Sequence, residues 1–292
     1  MSFPFQQNDF YEQAIFQSTG LDAEILDVNF QSGGCISTAA KILTDRGAFF
    51  LKWNMLEVGL FQAEAGGLKF LSSSADLRIP TVYGYGQIAD KHYILMEFLE
   101  SNPPASDHWE MLGKDLAMLH TVTHSHFGLE VDGFIGRLVQ KNAFSKDWTK
   151  FFIYNRLEIQ AGLAFYNGLV DAAWLRDFEK LYPKLEGFFP KEKPALLHGD
   201  LWSGNIHNGP DGYKWFIDPA VYFGHREMEL AFTQLFGGFD PAFYQSYEEV
   251  FPLEPGFKER VDIYNLYPLL VHANLFGSSY LSAVNRVVKK ML

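Results

Sequence analysis

The stretch LLHGDLWSGNIHNGPDGYKWFIDPA, from Leu196 to Ala220, decides how the rest of the chain is read. Asp200 and Asn205 stand five residues apart, and Asp218 follows Asp200 by eighteen. Between them NGPDG carries turn chemistry that can fold YKWFID back beside the first segment. The apolar run PALL precedes His198, Gly199 and Asp200, and WFI precedes Asp218, so both acids fall at the ends of short strands. Three oxygen-bearing side chains can then converge.

Hard oxygen ligands in an incomplete shell suit Mg²⁺, which keeps waters and takes further ligands from phosphates. A remaining carboxylate can accept the proton of an attacking hydroxyl, which is the division of labour in kinase-type phosphoryl transfer. Two other readings stand beside it. Asp, Asn and Gly are ordinary turn residues. Alternatively, His198 and His207 join Asp200 around a transition metal as in a hydrolase, which leaves Asn205 and Asp218 without a role.

Outward from this stretch, the chain of 292 residues is 48% hydrophobic, enough for one large domain or two lobes. A net charge of −11 with no Lys/Arg cluster excludes a general nucleic-acid binder. A small anion would instead be held by a few placed cations, a metal or backbone N–H groups. No apolar run approaches the ~18 residues of a membrane span, and MSFPFQQNDFYEQAIFQ has no basic region followed by an apolar stretch. Cys35 is the single cysteine, so no intrachain disulfide forms and a reducing cytoplasm is the expected compartment.

Residues 25–53 alternate in short strand-like runs, ILDVNFQ, AAKILT and GAFFLKWN, broken by SGG and DRG. Leu60, Glu64, Leu68 and Leu71 then recur at helical intervals, and IPTVYGYGQI and KHYILMEFL return to strand character. After ESNPPASDHWE, a linker and helix entry capped by Asp107, the texture is largely helical, with patterns near 108–122, 148–164, 171–187, 227–237 and 258–275. The expectation is an α+β protein of two lobes. Residues 1–100 form an antiparallel sheet with one main helix, and 101–292 a larger, mainly helical lobe, with a ligand cleft between them.

Lys52 sits in an apolar strand, where an unpaired ammonium is costly, and Glu64, twelve residues on, is the expected partner. The pair matches the Lys–Glu arrangement that holds ATP phosphates in kinases; the alternative is an outward strand lysine and a surface glutamate. Gly33 and Gly34 in FQSGGCIS either let backbone N–H groups approach phosphates or simply make a hairpin turn. Trp202, beside Asp200, can pack its face on a sugar or join the core. His225 lines an acceptor pocket or stiffens the segment after Asp218.

The run from HGDLWSGN through FIDPAVYFGHREMELAFTQLFGGF resembles the fructosamine kinase (ketosamine kinase) family, a branch of the aminoglycoside phosphotransferase and choline kinase group with a protein-kinase-like fold. H-G-D-x4-N is shared across that group, whereas the Trp after HGDL and the DPA…Y-G-H-R-E continuation are specific to fructosamine kinases. The likeness extends from SGGCIS to LYPLLVHANLFGSSY. It implies ATP and Mg²⁺, with Asp200 as catalytic base and Asn205 and Asp218 as metal ligands. It makes His198 and Glu229 supports of the catalytic loop. It also implies that main-chain groups at Glu97, Phe98 and Leu99 meet the adenine edge.

The activity implied is transfer of the γ-phosphate to the 3-hydroxyl of ketosamines, free or protein-bound, leading to deglycation. Kinases of aminoglycoside or choline type and a non-catalytic pseudokinase are the alternatives, and monomer and homodimer are both left open. The family commonly carries a cysteine at Cys35, and its oxidation there would distort the phosphate loop.

Overall fold

A computed structural model of the chain describes residues 4–31, 37–55 and 59–292, with side chains from Asp9 onward. Gly33, Gly34 and Cys35 lie outside the described residues. The chain packs as two compact units. One comprises residues up to His108 together with Gly204–Pro219, the other Trp109–Ser203 with Ala220–Leu292.

In the first unit, β1 (Ile25–Phe30), β2 (Thr38–Thr44), β3 (Gly47–Asn54), β4 (Val82–Ile88) and β5 (Lys91–Glu97) form one antiparallel sheet in the order β1-β2-β3-β5-β4. The two-residue period of β3 sends Phe49, Leu51 and Trp53 to one face and Phe50 and Lys52 to the other. Two helices cover these faces, where one was expected. The helix α1 (Pro4–Thr19) packs Phe10, Tyr11, Ala14 and Ile15 on Leu51, Trp53 and Tyr93. The helix α2 (Leu60–Ser74) packs Phe61, Ala65 and Leu68 on Ile94 and Met96.

The reason α1 escapes pattern reading is physical. It has no acidic residue in its first turn and no basic one in its last, so its ends carry no dipole signal. Its stability comes from tertiary packing, including edge contacts of Phe10 and Tyr11 with Trp53 at 5.7 and 5.8 Å between ring centres.

In the second unit, α3 (His108–His120) buries Leu112, Leu116 and Leu119 on one face. Short pairs β6 (Gly133–Ile135) with β7 (Leu138–Gln140) and β8 (Ala195–Leu197) with β11 (Tyr222–Gly224) carry the loops of interest. Around them lie α4 (Trp148–Phe152), α5 (Glu158–Tyr166), α6 (Ala172–Glu179), α7 (Arg226–Phe232), α8 (Pro241–Val250), α9 (Phe257–Tyr264), α10 (Leu266–Phe276) and α11 (Leu281–Met291). The helices α8 and α11 lie outside the expected set. Their cues are local: Asp240 caps α8 by accepting from Ala242 N–H at 2.9 Å, and Leu281, Val284, Val287 and Val288 line one face of α11.

The division of the chain differs from the expected single boundary at 100/101, because residues 204–219 group with the first unit. There β9 (Ile206–Asn208) and β10 (Lys214–Phe216) form a hairpin. It is fastened by Phe216 N–H donating to Arg78 O at 2.8 Å and by the Arg78–Asp211 ion pair at 2.7 Å. The His207 ring also lies 3.1 Å from Leu99 O. Among the described residues no helix is long and apolar enough to cross a membrane.

Candidate active site

The hairpin explains why Asn205 and Asp218 belong together. Phe216 pairs with Ile206, and the next residue, Ile217, donates its N–H to Asn205 O at 3.1 Å, so the two ligand candidates flank one register step. At the turn Asp211 accepts from Tyr213 N–H at 3.1 Å and from Trp215 Nε1–H at 2.9 Å, and Gly212 takes φ +79°. Asn205 is buried, whereas the Asp218 side chain is 42% exposed and its backbone is left-handed at φ +55°. Asp is among the few residues that tolerate that conformation, and here it turns the chain where the acid is presented.

Lys52 Nζ donates to Glu64 Oε1 at 2.8 Å and also pairs with the Asp218 carboxylate. Burial alone would push the ammonium pKa down; the Asp218 and Glu64 carboxylates outweigh it and hold the pKa above the ordinary lysine value. Burial raises Glu64, against the opposing pull of Lys52, to about 7. The Lys–Glu pair expected from the strand and helix patterns is thus formed. The same cation reaches the acid at the end of the hairpin.

At the end of β5 and just beyond it, Glu97 N–H donates to Thr81 O at 2.8 Å, Leu99 O meets His207, and the Phe98 ring lies 4.2 Å from Lys41 Nζ. His207 Nε2 also lies 3.1 Å from Ser101 Oγ, so this ring serves the backbone crossing rather than a metal. Among the described residues no group of three or more His, Cys, Asp or Glu side chains is arranged to hold a metal. The transition-metal reading loses its support. An Asn and an Asp suit instead an ion that keeps several waters.

In the second unit, β8 leads straight into His198, Gly199 and Asp200. Pairing of Leu197 with Tyr222 and donation from Ala220 N–H to His198 O at 2.8 Å set the loop against β11. Gly199 has φ +87°, and a Cβ on it would lie 1.9 Å from Ala220 O, so only glycine fits. Buried Glu229 on α7 accepts from His198 N–H at 3.0 Å, Gly199 N–H at 2.6 Å and His120 Nε2–H at 3.0 Å.

Burial would raise the Glu229 pKa, but the His120 bond and the other donors hold it below the usual carboxylate value. Burial keeps His120 neutral, with Nδ1 2.7 Å from the Tyr247 hydroxyl. His198, itself buried, accepts from Asp200 N–H through Nδ1 at 3.3 Å. The loop backbone is therefore held from both sides while Asp200 lines a cleft with Tyr222, Tyr267, Val271 and His272.

His225 does not line that cleft. It is 1% exposed, stacks on Trp148 at 4.6 Å between ring centres, and lies 3.0 Å from the Tyr264 hydroxyl. Burial, helped by Arg260 and Arg226, pushes its pKa down to about 3. The expected substrate contact is a core residue, because the turn out of β11 points inward before α7 begins. Trp202 is half-buried, with its ring edge-on to Phe236 at 5.9 Å.

Sequence reasoning missed His120 and His272. Their signals were faint: His120 closes the apolar face of α3, and His272 is a polar interruption of the run LLVHANLF.

The sequence profile of the fructosamine kinase family matches residues 8–292. A "probable ketoamine kinase" of Enterococcus faecium is 41% identical over 283 residues, covering 95% of this chain and 98% of that protein. A chloroplastic protein-ribulosamine 3-kinase of Oryza sativa subsp. indica is 38% identical over 280 residues, covering 94% and 81%. A crystal structure from Haemophilus somnus, of a protein assigned to fructosamine-3-kinase, superposes with a TM-score of 0.88 at 29% identity and 99% coverage of both chains. A spectinomycin phosphotransferase shares the fold alone, with a TM-score of 0.59 at 17% identity over 97% of this chain and 93% of that one. The architecture is that of the protein-kinase-like α+β fold, and with nearly every residue of the chain inside the matched profile, this protein belongs to the fructosamine kinase family.

Proposed function

We propose that the chain transfers the γ-phosphate of ATP to the 3-hydroxyl of a ketosamine. The observation that carries the reading is the half-buried Lys52 ammonium held by both Glu64 and Asp218, since a lysine so placed is a phosphate ligand in kinases. Asp200 is the base: it takes the hydroxyl proton as the new O–P bond forms and the bond from the γ-phosphorus to the ADP oxygen breaks. Main-chain groups at Glu97, Phe98 and Leu99 receive the adenine edge. Glu229 and His198 act by positioning the loop.

Asn205 and Asp218 fit Mg²⁺: one carboxamide and one carboxylate, on residues that the hairpin brings together, make an incomplete oxygen set of the kind completed by waters and phosphate oxygens. When bound, the ion supplies positive charge to the phosphates. The 3-phosphate product is prone to spontaneous elimination, which frees the amine, so repair of glycated amines is the role and the cytoplasm the location that goes with it.

The test is ATP turnover across ketosamines, aminoglycosides and choline, with the phosphate position read by NMR. We expect 3-phosphorylated ketosamine from the wild type. With Asp200→Asn, kcat falls by about 10²–10⁴-fold, while the unfolding free energy stays within about 0.5 kcal/mol. Failure to phosphorylate any ketosamine overturns the reading.

A further inference from the structure

Beside the cleft that Asp200 and His272 line stands a group of rings that the chemistry above does not use. Phe236 is 41% exposed and Phe276 46%, although both are large and apolar. Phe236 holds φ +55°, a left-handed backbone that is a true outlier for a bulky non-glycine residue. Strain of this kind persists where the surrounding structure enforces it, and burial does not compensate for it here.

The strained residue sets its ring 4.7 Å from His272, 5.9 Å from Trp202 and 6.3 Å from Tyr280, which itself lies 5.2 Å from His272. His272 Nδ1–H donates to Pro268 O at 2.7 Å, which leaves Nε2 as an acceptor in the neutral ring. Burial lowers the His272 pKa, so the ring stays neutral at neutral pH. An exposed aromatic ring beside a neutral acceptor is a surface suited to an organic cation of modest size.

We propose that Trp202, Phe236, His272 and Tyr280 receive the protonated amine and the first carbons of the arm that carries the ketose, an inference that rests on the ketosamine reading of this site. Asp200 then meets the sugar hydroxyl while the rings meet the ammonium. This makes the wall a specificity element: it favours sugars joined through a basic nitrogen over neutral sugars of the same shape. Phe236 is a substrate-binding residue in this scheme, remote from the reacting hydroxyl.

The test compares a 1-alkylamino-1-deoxyfructose with its neutral 1-O-alkyl ether of equal chain length. Affinity is read by calorimetry without ATP, so it does not depend on phosphoryl transfer. We expect the wild type to bind the amine about ten-fold more tightly than the ether. Phe236→Leu should narrow that preference to about three-fold or less without weakening the ether, and Phe236→Trp should restore it. In turnover, Phe236→Leu should raise KM for the amine and leave kcat unchanged.

Equal affinity of the wild type for both ligands, binding of neither, or equal weakening of both by Phe236→Leu overturns the proposal. Amine-selective binding with no turnover supports the ring wall and refutes the kinase reading alone.

Discussion

Replacing Glu229 by Gln should damage both stability and rate through one cause. The carboxylate accepts from three N–H donors: Oε2 takes His120 Nε2–H and His198 N–H, each at 3.0 Å, and Oε1 takes Gly199 N–H at 2.6 Å. A carboxamide has one acceptor oxygen, so whichever way it is oriented an NH₂ group faces a buried N–H. One unpaired buried donor costs about 1–3 kcal/mol, and turning the remaining charge-assisted bonds into neutral ones costs roughly 1 kcal/mol each. Removing a buried charge offsets part of this, leaving a net loss of about 2–4 kcal/mol.

Urea unfolding at neutral pH reads that loss. Because His198 and Gly199 lead directly to Asp200, kcat should also fall, by roughly 10–100-fold for a loop shifted by a fraction of an ångström. The Glu229 pKa is held below the ordinary carboxylate value, so its stabilisation is full above about pH 4.3 and is lost only as pH falls through the lower folded value. The gap between wild type and variant should therefore close only in acid. A variant with wild-type stability and wild-type kcat would refute the claim that Glu229 holds this loop.

Lys52→Met removes the cation that Glu64 and Asp218 share, and kcat should drop by about 10²–10³-fold, the scale for losing one preorganised charge partner, as read in steady-state ATP turnover. A variant that keeps wild-type kcat shows that this lysine does not serve the phosphates. His225, with a folded pKa of about 3 against an unfolded value near 6.5, takes up its proton only on unfolding across that interval. Stability should thus be full above about pH 6.5 and decline toward pH 3 by up to ~1.4 kcal/mol per pH unit from this residue. Urea titrations from pH 4 to 7 should show a shallower slope in His225→Phe, and an unchanged slope would show that the buried imidazole is not the group responsible.

The sequence by itself determined whatever depends on short-range periodicity and turn chemistry. The alternation of GAFFLKWN set Lys52 on the face opposite Leu51 and Trp53. Helical spacing carried Glu64 to it, and NGPDG closed the hairpin that joins Asn205 to Asp218. Those signals act over a few residues, and the backbone obeys them wherever it lies.

Tertiary structure decided the rest, because burial and pairing across long stretches of chain are properties of packing. Glu229 finds His198 31 residues away and His120 109 residues away, and neither spacing leaves a periodic mark. Nothing local distinguishes a solvated helix glutamate from one that accepts three buried N–H groups. His225 reads as a polar pocket residue until Trp148 and Tyr264 enclose it. Residues 204–219 join the first unit because Arg78 and Leu99 are there to receive the hairpin, and no local signal marks Phe236 as the exposed ring with a left-handed backbone.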